Sequence, residues 1–589
     1  MIFFRRMKLP SISFLFIAIL VSSCTNGLNK NKHLTVFEES AGQKTATYYE
    51  GLEWWRKLED ASPYVCIQEF GETDAGQPLH LIIINGKKNF AKDKINESEQ
   101  LIWLINNGIH PGEPDGIDAS MLFVRDLVSD PEFEEKYQKL VILIIPFYNV
   151  GGALNRNCCS RANQNGPESY GFRGNAKNLD LNRDFIKCDS KNAKSFNKLF
   201  SDWDPDVYLE THVSNGADYP YTMTFLASQA DKLGPVLGDF VRDELAVDLY
   251  SRMKNEGDEM IPYVNVFGHS PDSGYACFYD SPRYSTGYAA LHHSIGLLTE
   301  THMLKPFKQR VESTHRFMHQ LSVTLLSRSQ KIQELRASAI NNTLNQSEFA
   351  LDWELDSNMV TPLSFKGHKA FYDTSKVTGQ IQLFYDKAEI WERSIPYFNH
   401  MVATKTIQAP SFYLIPSAWQ EVVELLAIND IEMKLLEEDT MMDITAYEIK
   451  DYHTAQSPYE GHYVHDHTSV ETQYWHKNIQ AESYYLVDVN QPKKRFIIET
   501  LEPEAPDSYF NWNFFDEILQ QKEWFSSYVF DAKAEEMLKD PSIKKVYDEM
   551  MEKDPTFSLN SLNQLYFLYR NSEHYERERH MIYPVFRIE

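Results

Sequence analysis

The sequence predicts an α/β sandwich followed by a second domain of mixed α+β character. In the first half, strand-like segments alternate with segments of helical periodicity. Residues 140–147 (LVILIIPF) form a continuous apolar run, which is typical of a strand buried on both faces. Residues 329–347 are polar, and short aromatic strand-like pieces replace the alternation beyond them. We therefore expect a domain boundary in that segment.

The elements of the first domain follow in chain order. A helix is expected at 45–58, and strands are expected at 64–70, 79–84, 101–105, 140–147, 206–210 and 296–299. Apolar residues at spacings of three and four predict further helices at 117–128 and 307–325. Residues 149–179 are polar and rich in glycine, as functional loops often are.

Length and composition limit the class of protein. A chain of 589 residues is too long for one hydrophobic core, and 42% apolar residues fit a folded protein. The formal net charge is −26, which argues against a nucleic-acid groove as the main function. We expect no nucleic-acid partner.

The N-terminus reads as a targeting segment. Basic residues at 5–8 precede an apolar stretch at 12–21 that is too short to span a bilayer. The sequence Val21-Ser22-Ser23-Cys24 resembles the bacterial lipobox, whose cysteine is lipidated and becomes the first residue. An ordinary signal peptide with an incidental cysteine is the alternative.

This interpretation gives a lipoprotein signal peptide at 1–23, a tether at 24–44, a catalytic domain at 45–328 and an accessory domain at 347–589. Lipidated Cys24 would anchor the protein to a membrane of the cell envelope, on the periplasmic or the outer-membrane face. The periplasmic face is favoured, because no acidic residue closely follows Cys24.

Cysteine usage leaves the pairing open. Of the six cysteines, Cys24 belongs to the leader, and the odd remainder contains at least one free thiol. Cys158 and Cys159 are adjacent and would bridge each other only with strain. Either could pair with Cys188 in an oxidising compartment, and buried free thiols are an equal alternative.

Candidate metal ligands follow the predicted strands. His110 and Glu113 lie in a loop rich in Pro and Gly after the strand at 101–105, and His212 follows the strand at 206–210. Two imidazoles and one carboxylate make a tripod that leaves a coordination position open for water, as catalytic zinc sites do. Glu300 follows another apolar strand and would face the same end of the sheet as a proton acceptor.

Residues 178–185 (NLDLNRDF) place an amide beside a guanidinium. The fork of Arg183, with Asn182 next to it, fits a carboxylate or an oxyanion. Tyr275, Tyr279, Tyr284 and Tyr288 lie upstream of Glu300, and any of them could cap a cleft.

The motifs HPGE, NLDLNRDF, ETH and GLLTETH, in this order, resemble those of the zinc carboxypeptidases of the A/B type. The resemblance covers roughly residues 45–325 and implies a three-layer α/β/α sandwich with a mixed sheet. It implies one zinc ion held by His110, Glu113 and His212, and Glu300 as general base. It also implies that Asn182 and Arg183 hold the C-terminal carboxylate of a peptide substrate.

Two further roles follow from the same resemblance. The arginine that polarises the scissile carbonyl matches Arg173 best, with Arg161 second. The mobile tyrosine that closes over substrate matches Tyr279 best, with Tyr284 second. The chain departs from the family at 149–152, where Asn-Val-Gly-Gly replaces an Asn-Pro-Asp-Gly turn.

Three functions are carried forward. The first is a zinc metallocarboxypeptidase that hydrolyses the C-terminal peptide bond. The second is a zinc amidohydrolase acting on cell-wall muropeptides or acyl-amino acids. The third is a non-enzymatic lipoprotein that binds peptide or glycan. His292, His293, His302 and His315 are interpreted as structural or solvated, and GHYVHDH at 461–467 as an exposed loop rather than a second metal site.

Overall fold

The computed structural model describes residues 30–589. The predicted signal peptide, Cys24 and the first residues of the tether lie outside this range. Among residues 30–589, no helix is both long enough and apolar enough to span a bilayer.

Strands in the first half of the chain build one large sheet. They are β1 Val65–Gly71, β2 Leu79–Asn85, β3 Leu101–Asn106, β4 Leu140–Ile145, β5 Val207–Ser214, β6 Met223–Ala227, β7 Ile261–Pro262, β8 Tyr275–Ala276 and β9 Ile295–His302. All except β8 join in the order β1-β2-β4-β3-β5-β9-β6-β7. Strands β4, β3, β5 and β9 are parallel neighbours, whereas β2 runs antiparallel to β4 and β6 runs antiparallel to β9. The predicted mixed sheet is confirmed, and its parallel centre brings the carboxyl ends of β3, β5 and β9 to one edge.

Helices cover both faces of this sheet. They are α1 Val36–Glu39, α2 Tyr48–Ala61, α3 Lys92–Asn96, α4 Asp115–Val128, α5 Phe133–Lys136, α6 Val150–Leu154, α7 Lys191–Trp203, α8 Ala230–Leu233, α9 Pro235–Phe240, α10 Ala246–Asn255, α11 Ser285–Leu291 and α12 Phe307–Asn345. Helix α2 begins where the Thr47 side chain accepts a hydrogen bond from Glu50 N, and Thr47 N in turn donates to the Glu50 side chain.

Side chains of β3 alternate between two cores. Leu101, Trp103 and Ile105 pack in the core that contains residues of α4 and α12. Ile102 and Leu104 point the other way, into the core that contains residues of α7. Because both faces are buried, this strand is apolar from Leu101 to Ile105, and the three-layer α/β/α sandwich is confirmed.

Gly116 fixes how closely α4 approaches β5. A Cβ atom at this position would lie 2.0 Å from Thr211 Oγ1, so no larger residue fits without displacing the strand. Helix α4 therefore starts directly against the strand that carries His212, and the loop before α4 is held at the edge of the sheet.

The C-terminal half is rich in sheet, as expected of a mixed α+β domain. Its strands are β10 Glu348–Leu355, β11 Thr361–Thr374, β12 Ile381–Phe398, β13 Met401–Gln408, β14 Phe412–Pro416, β15 Met433–Leu435, β16 Thr440–Thr454, β17 His465–Ile479, β18 Tyr484–Asp488 and β19 Phe586–Ile588. Its helices are α13 Gln420–Ile428, α14 Lys494–Leu501, α15 Ser527–Met537, α16 Pro541–Lys553, α17 Pro555–Ser558 and α18 Ser561–Arg570. Six of the strands form one sheet, in the order β15-β18-β14-β19-β16-β17.

Two features differ from the sequence-based expectations. Helix α12 continues to Asn345, so the end predicted for the catalytic domain at residue 328 lies inside a helix. Cys158 bonds Cys159, with an S–S distance of 2.03 Å. The alternative pairing with Cys188 is wrong, because Cys188 is a free thiol buried in the core while its proposed partners lie on an exposed loop.

Candidate active site

Three predicted metal ligands meet at the carboxyl edge of the sheet. His212 Nδ1 lies 3.2 Å from His110 Nδ1 and 3.1 Å from Glu113 Oε2. His110 Nδ1 lies 3.3 Å from the same Glu113 oxygen. Each of the three residues is only 3% exposed. Three acceptor groups therefore converge on one buried point.

The local sequence explains how these side chains arrive there. His110 and Glu113 occupy the turn between β3 and α4, and Val213 N donates to Glu113 Oε2 at 2.9 Å. His212 does not follow its strand as expected but lies inside it, because β5 continues to Ser214. Glu300 likewise lies inside β9, directly opposite His212 in the parallel register.

Two carboxylates that sequence reasoning missed orient the imidazoles. Asp180 Oδ1 lies 2.9 Å from His110 Nε2, and Glu210 Oε2 lies 2.8 Å from His212 Nε2. Tyr208 and Ser285 donate to Glu210, so this carboxylate is held in place. A carboxylate on the far nitrogen fixes the tautomer and raises the basicity of a metal-binding imidazole. The signal was present in the sequence, since Glu210 precedes His212 by two residues and therefore shares its strand face.

We expect Glu210→Gln to weaken metal binding by about 10–100-fold, because the amide keeps the size of the side chain but loses its charge. Tyr208→Phe is the matched control: it removes one hydrogen bond to Glu210 and leaves the carboxylate on His212, so its effect should be smaller. Competition with a chromogenic chelator measures both affinities. Equal affinity in Glu210→Gln and the wild type would contradict this role.

Charge around the ligands matches a cation site. Burial would raise the pKa of Glu113, but the Arg161 guanidinium and His110 hold it well below its usual range. Burial would lower the pKa of His212, but Glu113 and Glu210 raise it to about 10. In the absence of metal, a proton on His212 thus supplies positive charge between two carboxylates. A metal ion would displace it.

The spacing of the ligand atoms fits zinc. With zinc–nitrogen bonds of about 2.0–2.1 Å, neighbouring ligands of a tetrahedral site lie about 3.3 Å apart. The observed separations of 3.1, 3.2 and 3.3 Å agree with that value. Two imidazoles and a carboxylate are also a donor set that zinc prefers.

Glu300 lies in the same cleft. Burial, opposed by the His212 imidazole and reinforced by the Glu113 carboxylate, raises the pKa of Glu300 to about 8. Its Oε2 is buried and has no hydrogen-bond partner among the described residues. The carboxyl group is therefore free to exchange a proton with a bound molecule.

Two arginines, Arg161 and Arg173, also line the cleft. Arg161 Nη2 lies 2.9 Å from Glu113 Oε1, and Arg173 Nη1 lies 3.6 Å from it. Arg173 also contacts Asp180 through Nε at 3.0 Å and Nη2 at 2.8 Å. Both candidates for the carbonyl-polarising role thus reach the ligand cluster.

Asn182 and Arg183 lie together on the cleft wall. Arg183 Nη1 donates to Asn182 O at 2.7 Å, and the guanidinium lies 4.5 Å from the centroid of the Tyr284 ring. Asn182 Oδ1 is buried without a partner in the part of the chain that the structure describes.

Tyr279 does not line the cleft, whereas Tyr284, the second candidate, does. Lys232 Nζ lies 5.1 Å from the centroid of the Tyr279 ring and 3.2 Å from Asp280 Oδ1. This buried ion pair ties the segment of Tyr279 to α8 and turns its ring away from the ligands. Of the two tyrosines matched by resemblance, only Tyr284 can meet a ligand in the cleft in this conformation.

The C-terminal domain touches the wall of the cleft. Glu460 Oε2 accepts a hydrogen bond from Asp180 N at 2.6 Å. Arg283 Nε donates to Asp507 Oδ1 at 2.7 Å, and His462 Nε2 lies 2.9 Å from Asp189 Oδ2. The backbone of Asp180, whose carboxylate orients His110, is therefore held partly by the second domain.

Residues 51–217 match a family model described as zinc carboxypeptidase. Over this segment the chain is similar to the zinc carboxypeptidases. It includes His110, Glu113 and His212, and the strand that carries Glu300 lies beyond it. The matched family is zinc-dependent, and His110, Glu113 and His212 are a candidate site for its metal in this chain.

Solved zinc carboxypeptidase-like structures show a weak likeness. A metallo-carboxypeptidase from Burkholderia cenocepacia is 15% identical, with 47% of this chain and 68% of that chain covered and a TM-score of 0.35. A metallo-carboxypeptidase from Pseudomonas aeruginosa, in complex with (2-guanidinoethylmercapto)succinic acid, is 13% identical, with 49% and 70% covered and a TM-score of 0.37. No curated protein sequence matches the chain significantly. The fold assignment rests on the strand order given above.

Proposed function

We propose that this protein is a zinc-dependent metallocarboxypeptidase that removes the C-terminal residue from peptides with a free terminal carboxylate. The observation that carries the proposal is the arrangement in one cleft of about 560 Å³: the triad His110, Glu113 and His212, with Glu300 and Arg183, lines it. A metal site, a proton acceptor and a carboxylate receptor are thus within reach of one peptide end.

Each group has a defined task. Zinc, when bound, would supply Lewis-acid chemistry, lowering the pKa of water and polarising a carbonyl. Glu300 would accept the proton of the attacking water and pass it to the leaving amine. Arg173, beside Glu113, would place positive charge where the carbonyl oxygen becomes negative, with Arg161 as second candidate.

Arg183 and Asn182 would hold the terminal carboxylate of the substrate. The contact with the Tyr284 ring orients the guanidinium plane, which leaves nitrogen donors directed into the cleft. Binding a charged end group in this position places the adjacent peptide bond toward the ligand cluster, which would explain selectivity for chain ends.

The rest of the cleft indicates the terminal side chain. Leu226, Leu298, Phe278 and Thr286 contribute neutral surface to the lining. Since removal of apolar surface from water stabilises binding, we propose that neutral, apolar terminal residues are preferred.

A peptide library tests the proposal. The form that starts after Cys24 is incubated with matched peptides carrying free or amidated C-termini, and products are read by mass spectrometry. Stepwise loss of residues from free ends only, abolished by a chelator, supports the proposal. Failure to trim either pool with zinc bound would overturn it, and hydrolysis of muropeptides or acyl-amino acids would then favour the amidohydrolase. Ligand binding with no hydrolysis at all would favour the non-enzymatic lipoprotein.

Arg183→Lys should raise KM for free-ended peptides by about 10–100-fold. Loss of a bidentate, charge-assisted contact to the substrate carboxylate weakens binding by about 1.5–3 kcal/mol. Lysine keeps the charge but not the fork. Steady-state kinetics on one peptide measure the change, with Arg316→Lys as a control outside the cleft lining. A wild-type KM in Arg183→Lys would show that the carboxylate is held elsewhere.

The location of the protein is proposed from the leader sequence alone, because residues 1–29 lie outside the described range. We propose attachment to the cell envelope through a lipid on Cys24, on the basis of the sequence Val21-Ser22-Ser23-Cys24. Fatty-acid labelling of the wild type, lost in Cys24→Ala, is the expected result. Labelling that persists in Cys24→Ala would refute the anchor.

A further inference from the structure

A second group of metal-binding side chains lies away from the cleft. His315 and His319 are four residues apart on α12 and therefore share one face of that helix. Asp126, near the C-terminal end of the neighbouring helix α4, faces them. Asp126 lies about 16 Å along α4 from Asp115, the first residue of that helix. The catalytic ligand Glu113 lies two residues before Asp115.

The three ligand atoms converge. His315 Nε2 lies 3.1 Å from Asp126 Oδ2 and 3.2 Å from His319 Nε2. His319 Nε2 lies 3.9 Å from the same carboxylate oxygen. These separations bracket the distance of about 3.3 Å between neighbouring ligands of a tetrahedral zinc ion.

A hydrogen-bond network explains this arrangement less well. If His315 Nε2 carries a proton, that single proton is divided between Asp126 Oδ2 and an unprotonated His319 Nε2, and His315 cannot accept from His319. If His319 donates to His315 instead, the contact between His315 and Asp126 joins two acceptors. One cation at the centre of the triangle satisfies all three atoms at once.

The surroundings allow an ion to enter. The side chains of Asp126, His315 and His319 are 24%, 23% and 31% exposed, so water can reach them and complete the coordination. Phe123 packs edge-on against His319 with a centroid distance of 4.9 Å, which restricts the orientation of that ring. Two rigid helices therefore hold the donors in place.

Nearby positive charge limits affinity without blocking the site. Lys30 Nζ lies 2.8 Å from Asp126 Oδ1, and Arg125 Nη2 lies 3.9 Å from that oxygen. The contacts to the two histidines use the other carboxylate oxygen, Oδ2. Lys30 is half exposed and can move into solvent. Arg125 is also committed to Glu38, at 2.5 and 2.8 Å.

We propose that Asp126, His315 and His319 form a second metal site, which takes a divalent transition-metal ion, with zinc the best fit to this donor set. The ion would link α4 to α12 on the surface of the catalytic domain. Because α4 begins directly after the Glu113 turn, this link would stabilise the helix on which that turn depends. The site is independent of peptide hydrolysis.

Metal counting on the full mature chain tests this proposal with Zn²⁺ alone as probe. The wild type should bind two zinc ions per chain, while His319→Gln and Asp126→Asn should each bind one and keep the peptidase rate of the wild type. Lys30→Gln should tighten binding of the second ion, because it removes a competing charge. Titration with Co²⁺ provides an independent spectroscopic count.

Two results of the metal count would contradict a second metal site. One ion per chain in the wild type and in both His319→Gln and Asp126→Asn, at free zinc up to about a hundred times the dissociation constant of the catalytic site, would overturn the proposal. So would two ions in both His319→Gln and Asp126→Asn. Thermal unfolding of each variant without added metal controls for misfolding. Only the wild type and Lys30→Gln should then gain stability at the zinc concentration that fills the second site.

Discussion

Glu300→Gln should lower kcat/KM for peptide hydrolysis by about 10²–10⁴-fold while zinc remains bound. The amide has the size of the carboxylate but cannot take a proton. Glu300 lies opposite His212 in adjacent strands, and its Oε2 has no partner among the described residues. The substitution therefore removes proton transfer with little change in packing or in the ligand triangle.

The pH profile of this variant gives a second readout. Burial raises the pKa of Glu300 to about 8 in the metal-free protein, and a bound cation nearby would lower it. A general base must be ionised, so activity of the wild type should fall as pH drops through this pKa. The residual activity of Glu300→Gln should lack that acidic limb.

Steady-state kinetics from pH 5 to 9, with metal content measured in parallel, make the comparison. Glu312→Gln, an exposed change on α12, is the matched control and should behave as the wild type. A fully active Glu300→Gln enzyme would rule out the proposed mechanism, whatever the substrate.

His212→Gln should reduce the zinc content by one ion per chain and abolish hydrolysis. The imidazole contacts both other ligands and the orienting carboxylate Glu210. Two ligands remain in the variant, too few for a stable zinc site. Without the His212 imidazole, Glu113 and Glu210 also lose the partner that they share. Breaking a buried ion pair of this kind lowers the free energy of unfolding by about 3–5 kcal/mol.

His302→Gln is the matched control for this experiment. His302 is equally buried on β9, but its Nε2 lies 3.1 Å from Ala217 O rather than near the ligand triangle. It should retain the full zinc content. Elemental analysis after dialysis, together with restoration of wild-type activity by zinc after chelation, provides the measurement. A zinc content that is unchanged in His212→Gln would contradict the ligand assignment.

The sequence alone was sufficient to predict that the charged and metal-binding residues of the short motifs lie close together. His110, Glu113, His212 and Glu300 each directly follow or lie within an apolar segment, and apolar strands of a parallel sheet end at a common edge. Their meeting point could therefore be predicted without knowing the packing. The alternation of strands and helices likewise predicted the sandwich.

Other features depend on contacts between segments remote in sequence, and the tertiary structure decided them. Tyr284 rather than Tyr279 lines the cleft, and Lys232 pairs with Asp280 beside Tyr279. Glu460, from the second domain, supports Asp180. Such choices turn on packing and on desolvated ion pairs, which leave no periodic pattern in the chain.

The cluster of Asp126, His315 and His319 illustrates the same division. The spacing of the two histidines was visible in the sequence, but no pattern there assigns Asp126 to them, because the crossing of α4 and α12 brings the three together. Sequence determined which residues can bind metal or move protons, since that is a property of each side chain. Only the fold determined which of them share a site, since that depends on how the helices and strands pack against one another.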